Sequence, residues 1–229
     1  TLLRSLLMSN FNFEFCLSIF PFLIKALGIT ILISIVAFFL SILLGVILAF
    51  FTQTKSKVLQ YITRVYVSFF RGTPLLIQIF FFYFGFPMIF SFMKDCSPYL
   101  AIVICLGVNS SAYMAEIIRA SIESVDKGQQ EACYAFGLSK YQSMVKIILP
   151  QAATSAVPPI VSCTLDIIKG SSLGLTIGIQ DLMGVAQVEA ASSFKYFEIY
   201  MITILIYWAV SIILSNIQSK VEKRIRRAY

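Results

Sequence analysis

From Phe22 to Phe51 thirty residues run with a single charged side chain, Lys25. A helix needs roughly 20 apolar residues to cross a bilayer core. At about 1.5 Å per residue, this run is longer than the core, so part of it is interfacial or tilted. Similar apolar stretches follow at about Val58–Phe92, Pro98–Ile122, Leu149–Lys169 and Phe197–Asn216. Backbone polar groups in lipid must be satisfied within the segment, which makes these stretches helices. The expectation is an all-α integral membrane protein with about five transmembrane helices, forming one domain over residues 1–229 without an internal repeat. The composition excludes a soluble domain: 59% of residues are hydrophobic, where about half is usual. Residues 1–18 are mixed and are expected outside or at the interface, as is the semi-polar stretch leading to Tyr196.

The net charge of +7 would suit a nucleic-acid partner were it spread over one face. Instead most of the eighteen basic residues lie in three segments: Lys55–Arg71, Arg119–Lys146 and Lys220–Arg227. These alternate with the apolar spans, which is the positive-inside pattern. It places the N-terminus outside, the C-terminus inside and the three basic segments in the cytoplasm, with no nucleic acid required. The basic tail is a topology signal and a candidate for contact with anionic lipid. The first span can itself act as insertion signal, so no cleavable leader is expected. Five cysteines are scattered without metal-ligand spacing; Cys16 and Cys96 are both candidates for the outer side, but nothing in the sequence pairs them. There is no histidine.

The one long polar interruption is Glu131–Pro150, within a loop of about residues 126–150. Asp126 is placed to cap a short helix, with Gln129 as capping-box partner three residues on. Ala132, Cys133 and Ala135 line that helix with small side chains, and Gly137 suits the left-handed position past its end. Ser139 and Gln142 repeat the capping-box spacing and open the next helix. A short capped helix with a small-residue surface suits docking into a groove of another protein.

Two further features interrupt the spans. Arg71-Gly72-Thr73-Pro74 breaks the second: Gly72 loosens the chain, Thr73 is a cap candidate, and Pro74 fits the first position of a new helix carrying Gln78. Such a break is either a simple elbow or a half-helix end aimed at a substrate carboxylate. Glu116, Asp166 and Lys169 are ionisable groups inside spans, costly unless paired or beside water. Asp166 and Lys169 have the spacing of an ion pair, and Glu116 that of a partner to Arg119. The functional alternative is that Gln78, Asn109 and Asp166 hold the amino or side-chain end of an amino acid. The aromatic run Phe80–Phe86 reads as packing or lipid contact.

The polar loop resembles the EAA loop of the membrane subunits of binding-protein-dependent ABC importers: Glu131-Ala132, Gly137, then Ile147-x-Leu149-Pro150. The departure is Cys133 where a second alanine is usual, a small-for-small change. The runs Arg71–Leu75, Asn109–Tyr113 with Ala115-Glu116, Lys127–Gln129, and Lys169 with Ser172-Leu173 look like those of polar amino-acid ABC permeases, in collinear order over roughly residues 23–225. The resemblance implies a type I ABC importer permease in a bacterial cytoplasmic (inner) membrane. It implies coupling to the ATPase through Gln129, Glu131, Ala132, Ala135 and Gly137. Substrate contact is expected at Gly72, Thr73, Pro74, Gln78, Asn109, Glu116, Ser171 and Ser172, with Asp166 added from this chain's own sequence. It implies as partners two ABC ATPase subunits, an extracytoplasmic substrate-binding protein and a second permease subunit, identical or a sister chain. Where the family commonly has Lys-Asp-Thr-Ser-Leu, this chain has Lys169-Gly170-Ser171-Ser172-Leu173, so the acid at 170 is missing and Asp166 stands one turn earlier.

The chain contains no Gly-x-x-x-x-Gly-Lys-Ser/Thr phosphate loop. It is therefore expected to bind no cofactor and to be no enzyme, with ATP and Mg on a partner chain. The rival is an ion-gradient-driven secondary transporter or channel for small polar solutes, which leaves the capped loop unexplained. A membrane enzyme lacks a candidate nucleophile–base pair.

Overall fold

The computed structural model describes residues 11–226, and all regular structure in them is helical. The first helix, α1 (Phe13–Gln53), begins earlier than hydropathy alone placed it. The Asn12 side chain accepts the Phe15 N–H at 2.9 Å and sets that start. Leu23, Ala26, Thr30, Ile33, Ala37, Ser41, Gly45 and Ala49 form one buried stripe along α1 at helical spacing. Leu32, Phe39, Leu43, Val46 and Phe50 are exposed on the opposite face.

The second span is α2 (Lys57–Gly72) followed by α3 (Leu75–Phe80), a π-helical turn (Phe81–Gly85) and α4 (Phe86–Ile89), with a bend of 106° at the break. Among the described residues, long, apolar helices supply four candidate spans, or five if this bent pair counts as one. The expected cap at the break takes another form. Pro74, not Thr73, is the N-cap residue of α3, and it makes no side-chain cap bond. The Thr73 hydroxyl turns back to donate to the Phe69 carbonyl at 2.9 Å.

Next comes α5 (Pro98–Glu123), opened by Ser97 with Pro98 in the first turn. It leads into the short α6 (Lys127–Ala135). The following span is longer than expected: α7 (Lys140–Ser143), a π-helical turn (Met144–Ile148), α8 (Leu149–Ser171) and a 3-10 turn (Ser172–Ile177) run on as one 38-residue span. The semi-polar stretch beyond it holds a helix that hydropathy missed, α9 (Leu182–Ser193). The last helix, α10 (Tyr196–Arg226), is also longer than its apolar core.

Lipid tails are as apolar as leucine, so helices in a membrane associate through close packing of small residues. The seam between α1 and α5 shows this. A Cβ on Gly45 would sit 2.6 Å from the Met114 Cβ and 3.2 Å from the Ala115 nitrogen, and one on Gly107 would sit 2.6 Å from Leu40. Around the seam lie two cores. One joins Ile33 and Ala37 to Ile79, Ile102, Leu106 and Ile167; the other joins Cys16 and Leu23 to Leu182, Ala186 and Ile199 at the outer end. The aromatic run packs as expected: Phe80, Phe82 and Tyr83 lie against the first core, while Phe81 and Phe84 are exposed. All five cysteines are free.

Candidate functional site

Where α5, α8 and the α2–α3 elbow meet, they enclose a cavity of about 770 Å³. Its polar lining includes Arg71 from the elbow, Asn109, Tyr113 and Glu116 from α5, and Ser162 and Asp166 from α8. Of the residues proposed from sequence for substrate contact, Asn109, Glu116 and Asp166 line it. Arg71 and Tyr113 were not proposed, because an arginine in a basic segment reads as topology. The Arg71 guanidinium lies 5.4 Å from the Tyr113 ring centre, a cation–π contact that holds the cation at the wall.

Glu116 is held by Arg119, which donates to both of its carboxylate oxygens and to Glu123 at 2.6 Å. Asp166 and Lys169 form a loose pair at 3.7 Å with side chains 76% and 61% exposed. Both ion-pair readings are therefore present in the structure, and the Asp166 carboxylate remains open to the cavity mouth. Position 170 faces the same wall: a Cβ on Gly170 would meet Leu106 at 3.0 Å and Leu75 at 3.4 Å, both cavity residues.

Gln78 and Asn109 have a different first task. The Gln78 amide nitrogen donates to the Phe70 carbonyl, the Thr73 carbonyl and the Thr73 hydroxyl at 3.2, 3.2 and 2.8 Å. The Asn109 amide nitrogen donates to the Phe70 carbonyl at 2.9 Å and to the Gln78 amide oxygen at 3.0 Å. The two amides thus satisfy the carbonyls that the break strips from α2, as backbone at membrane depth requires. Gly72, Thr73 and Pro74 form this elbow and do not line the cavity.

Ser171 and Ser172 are also outside the cavity. The Ser172 hydroxyl bonds the Lys169 carbonyl at 2.6 Å. Ser171 is fully buried and donates to the Ile168 carbonyl and to Asp181. Asp181, unremarked in the sequence, is fully buried at the start of α9. Its carboxylate accepts the Gly184 N–H at 3.0 Å and the Thr30 and Ser171 hydroxyls at 3.3 Å each. The Leu182 N–H in turn donates to Thr30 at 3.0 Å, so one carboxylate joins α1, α8 and α9. Burial pushes its pKa up, and these hydrogen bonds pull against that.

On the cytoplasmic side, the Asp126 carboxylate caps α6 through the Gly128 N–H at 2.6 Å. The expected capping box with Gln129 does not form; the Gln129 side chain instead accepts from Gln151 at 3.4 Å, tying α6 to α8. Past the helix, Gly137 adopts φ +76°, with Gly137 N–H bonded to the Tyr134 carbonyl and Leu138 N–H to that of Cys133. This is the Schellman end the glycine suggested. The Ser139–Gln142 capping box forms in both directions, at 3.2 and 2.9 Å. Glu131, Ala132, Tyr134, Ala135 and Phe136 are exposed, whereas Cys133 is buried. The departure at 133 thus points inward, away from the free face of the helix.

Residues 41–227 match the family model described as binding-protein-dependent transport system inner membrane component. The chain is 42% identical over 96% of its length to a probable amino-acid ABC transporter permease protein of Vibrio harveyi, covering 99% of that protein. It is 39% identical over 97% of its length to a probable amino-acid permease protein of Bacillus subtilis, again covering 99%. It also resembles a chain in the crystal structure of an amino acid ABC transporter with histidines, with a TM-score of 0.87 and 32% identity over 94% of this chain and 99% of that one. A likeness to the MetNI methionine ABC transporter, at 16% identity and a TM-score of 0.69, concerns the fold alone. The chain belongs to the inner membrane components of binding-protein-dependent transport systems, the non-enzymatic, multi-pass bacterial subunits of ABC importers that work with a separate ATPase, a substrate-binding protein and a sister permease.

Proposed function

We propose that this chain forms half of the passage for a polar amino acid and opens it in response to ATP hydrolysis on a partner. The carrying observation is the charge lining of the central cavity, which gathers Arg71, Glu116 and Asp166 around one space. A cation for the α-carboxylate and anions for an ammonium or cationic side chain are what a zwitterion requires. The cavity volume falls in the range that takes small ligands, roughly 300–1,000 Å³. Asn109, Glu116 and Asp166 are the substrate contacts we retain, with Arg71 added. Gly72, Thr73, Pro74 and Gln78 act on substrate only through the elbow they build, and Ser171 and Ser172 through the ends of α8. Asp166 takes over the charge absent at Gly170. The exposure of Asp166 and Lys169 supports two permease chains closing one pathway, identical or sister. Two ATPases would dock on the two α6 helices at Glu131, Ala132, Ala135 and Gly137. ATP and Mg would reside there, and this chain would bind neither.

The test is uptake by the full transporter, reconstituted in liposomes with its ATPase and binding protein, against a panel of labelled amino acids. Asp166→Asn should reduce transport of the preferred amino acid about tenfold, the effect of losing one charged hydrogen bond. Affinity of the isolated binding protein stays unchanged. Unaltered transport in Asp166→Asn would remove the Asp166 assignment. Uptake driven by an ion gradient without ATP would overturn the reading as a whole.

A further inference from the structure

A second cavity, of about 470 Å³, opens on the other side of Glu116 between the cytoplasmic ends of α1, α2 and α5. Its lining is polar and mostly donor-bearing: Gln60, Thr63, Arg64 and Ser68 from α2, with Glu116 and Arg119 from α5. Arg119 is committed to Glu116 and Glu123. Arg64 is exposed and has no ion-pair partner among the described residues. Thr63 is only 1% exposed, yet its hydroxyl has no hydrogen-bond partner. Leaving a buried hydroxyl without a partner is costly, so this wall is incomplete as it stands.

The other face of α2 identifies the occupant. Val58, Tyr61, Ile62, Val65 and Phe69 form an exposed apolar stripe at helical spacing. At about 100° per residue, Arg64 and Ser68 fall at the cavity rim, between buried Thr63 and the edge of this stripe at Tyr61 and Val65. Lys55 and Lys57, beside the start of α2, put this end of the helix at the cytoplasmic surface. A ligand anchored at Arg64 thus meets donors on one side and an apolar track on the other. We propose that this cavity is a binding site for an anionic phospholipid of the inner leaflet. Its phosphate sits at Arg64 against the wall that Thr63 forms, and its acyl chains run along the Tyr61–Val65 edge of the stripe. A free anion would use the donors and leave the stripe bare.

The experiment uses the transporter complex purified in detergent, stripped of lipid, and titrated with phosphatidylglycerol or phosphatidylcholine of the same acyl chains. Bound lipid is counted by native mass spectrometry. The wild type should retain phosphatidylglycerol and not phosphatidylcholine. Arg64→Gln should weaken retention about fivefold, the effect of one basic residue at a membrane surface, and Thr63→Val should weaken it less. Arg64→Lys should restore most of it, because the charge returns at an exposed position. Lys223→Gln, which removes a charge from the basic tail, should leave retention unchanged. Equal retention in wild type and Arg64→Gln overturns the proposal, as does equal binding of phosphatidylcholine. Loss of phosphatidylglycerol to excess inorganic phosphate would assign the cavity to a free anion and also overturn it.

Discussion

Asp181 sets the behaviour of the outer end of the molecule. Because burial raises its pKa, the neutral form is favoured in the folded state relative to the unfolded chain. The stability it contributes is then full below the ordinary carboxylate value, about 4, and is lost as pH rises through the raised folded value. Asp181→Asn removes the charge and keeps an acceptor for the Gly184 N–H. In detergent-solubilised protein, the melting midpoint of Asp181→Asn should gain on that of the wild type as pH rises from about 4 to 7. A difference independent of pH would show that the carboxylate carries no such cost. Nothing in the sequence singled this residue out: its partners, Thr30 and Ser171, lie 151 and 10 positions away. Gln78 and Asn109 illustrate the same limit. Polar amides inside spans were legible as special, but their satisfaction of the Phe70 and Thr73 carbonyls depends on the angle of the elbow.

Single elements were more legible, because their determinants are local. Gly137, Ser139 and Gln142 announced the two ends around the loop, and all three do what their spacing suggested. The capping box at Asp126 failed because the aspartate reaches the N–H two residues on, leaving Gln129 free to bond across to α8. Hydropathy read α1, α5 and α10 and missed α9, whose polar serines and glutamate dilute the apolar signal while Leu182, Ala186 and Ala190 bury one face. The exposed face of α6 leads to a prediction at this scale. Glu131→Arg should abolish stimulation of the partner ATPase by substrate while leaving the melting midpoint of the permease unchanged, since Glu131 is exposed. Gly137→Ala forces a side chain into the left-handed region and should cost about 1 kcal/mol of stability as well as coupling. Full coupling in Glu131→Arg would place the docking contact elsewhere.

For the molecule as a whole, the all-helical class and the four or five spans followed from hydropathy, whereas the two cores and the seam between α1 and α5 did not. Glycines inside spans carry no hydropathic signal that distinguishes a contact from a lipid-facing position. Gly45→Val should separate the two helices and lower stability by roughly 1–3 kcal/mol, the usual result of overpacking. The loss should appear in the melting midpoint of the purified protein. An unshifted midpoint would mean that the seam relaxes freely.

The interlocking of Gly45 with Met114, and of Gly107 with Leu40, has a mechanical consequence. Only Ser124, Val125 and Asp126 separate α5 from α6, so any displacement of α6 pulls on the cytoplasmic end of α5. Because α5 cannot slip along α1, that pull turns the two helices together as one lever. The far arm of the lever is the outer end of α1, where Cys16 and Leu23 grip α9 and α10. Packing thus links the cytoplasmic α6, through α5 and α1, to the helices gathered at the far end of the molecule.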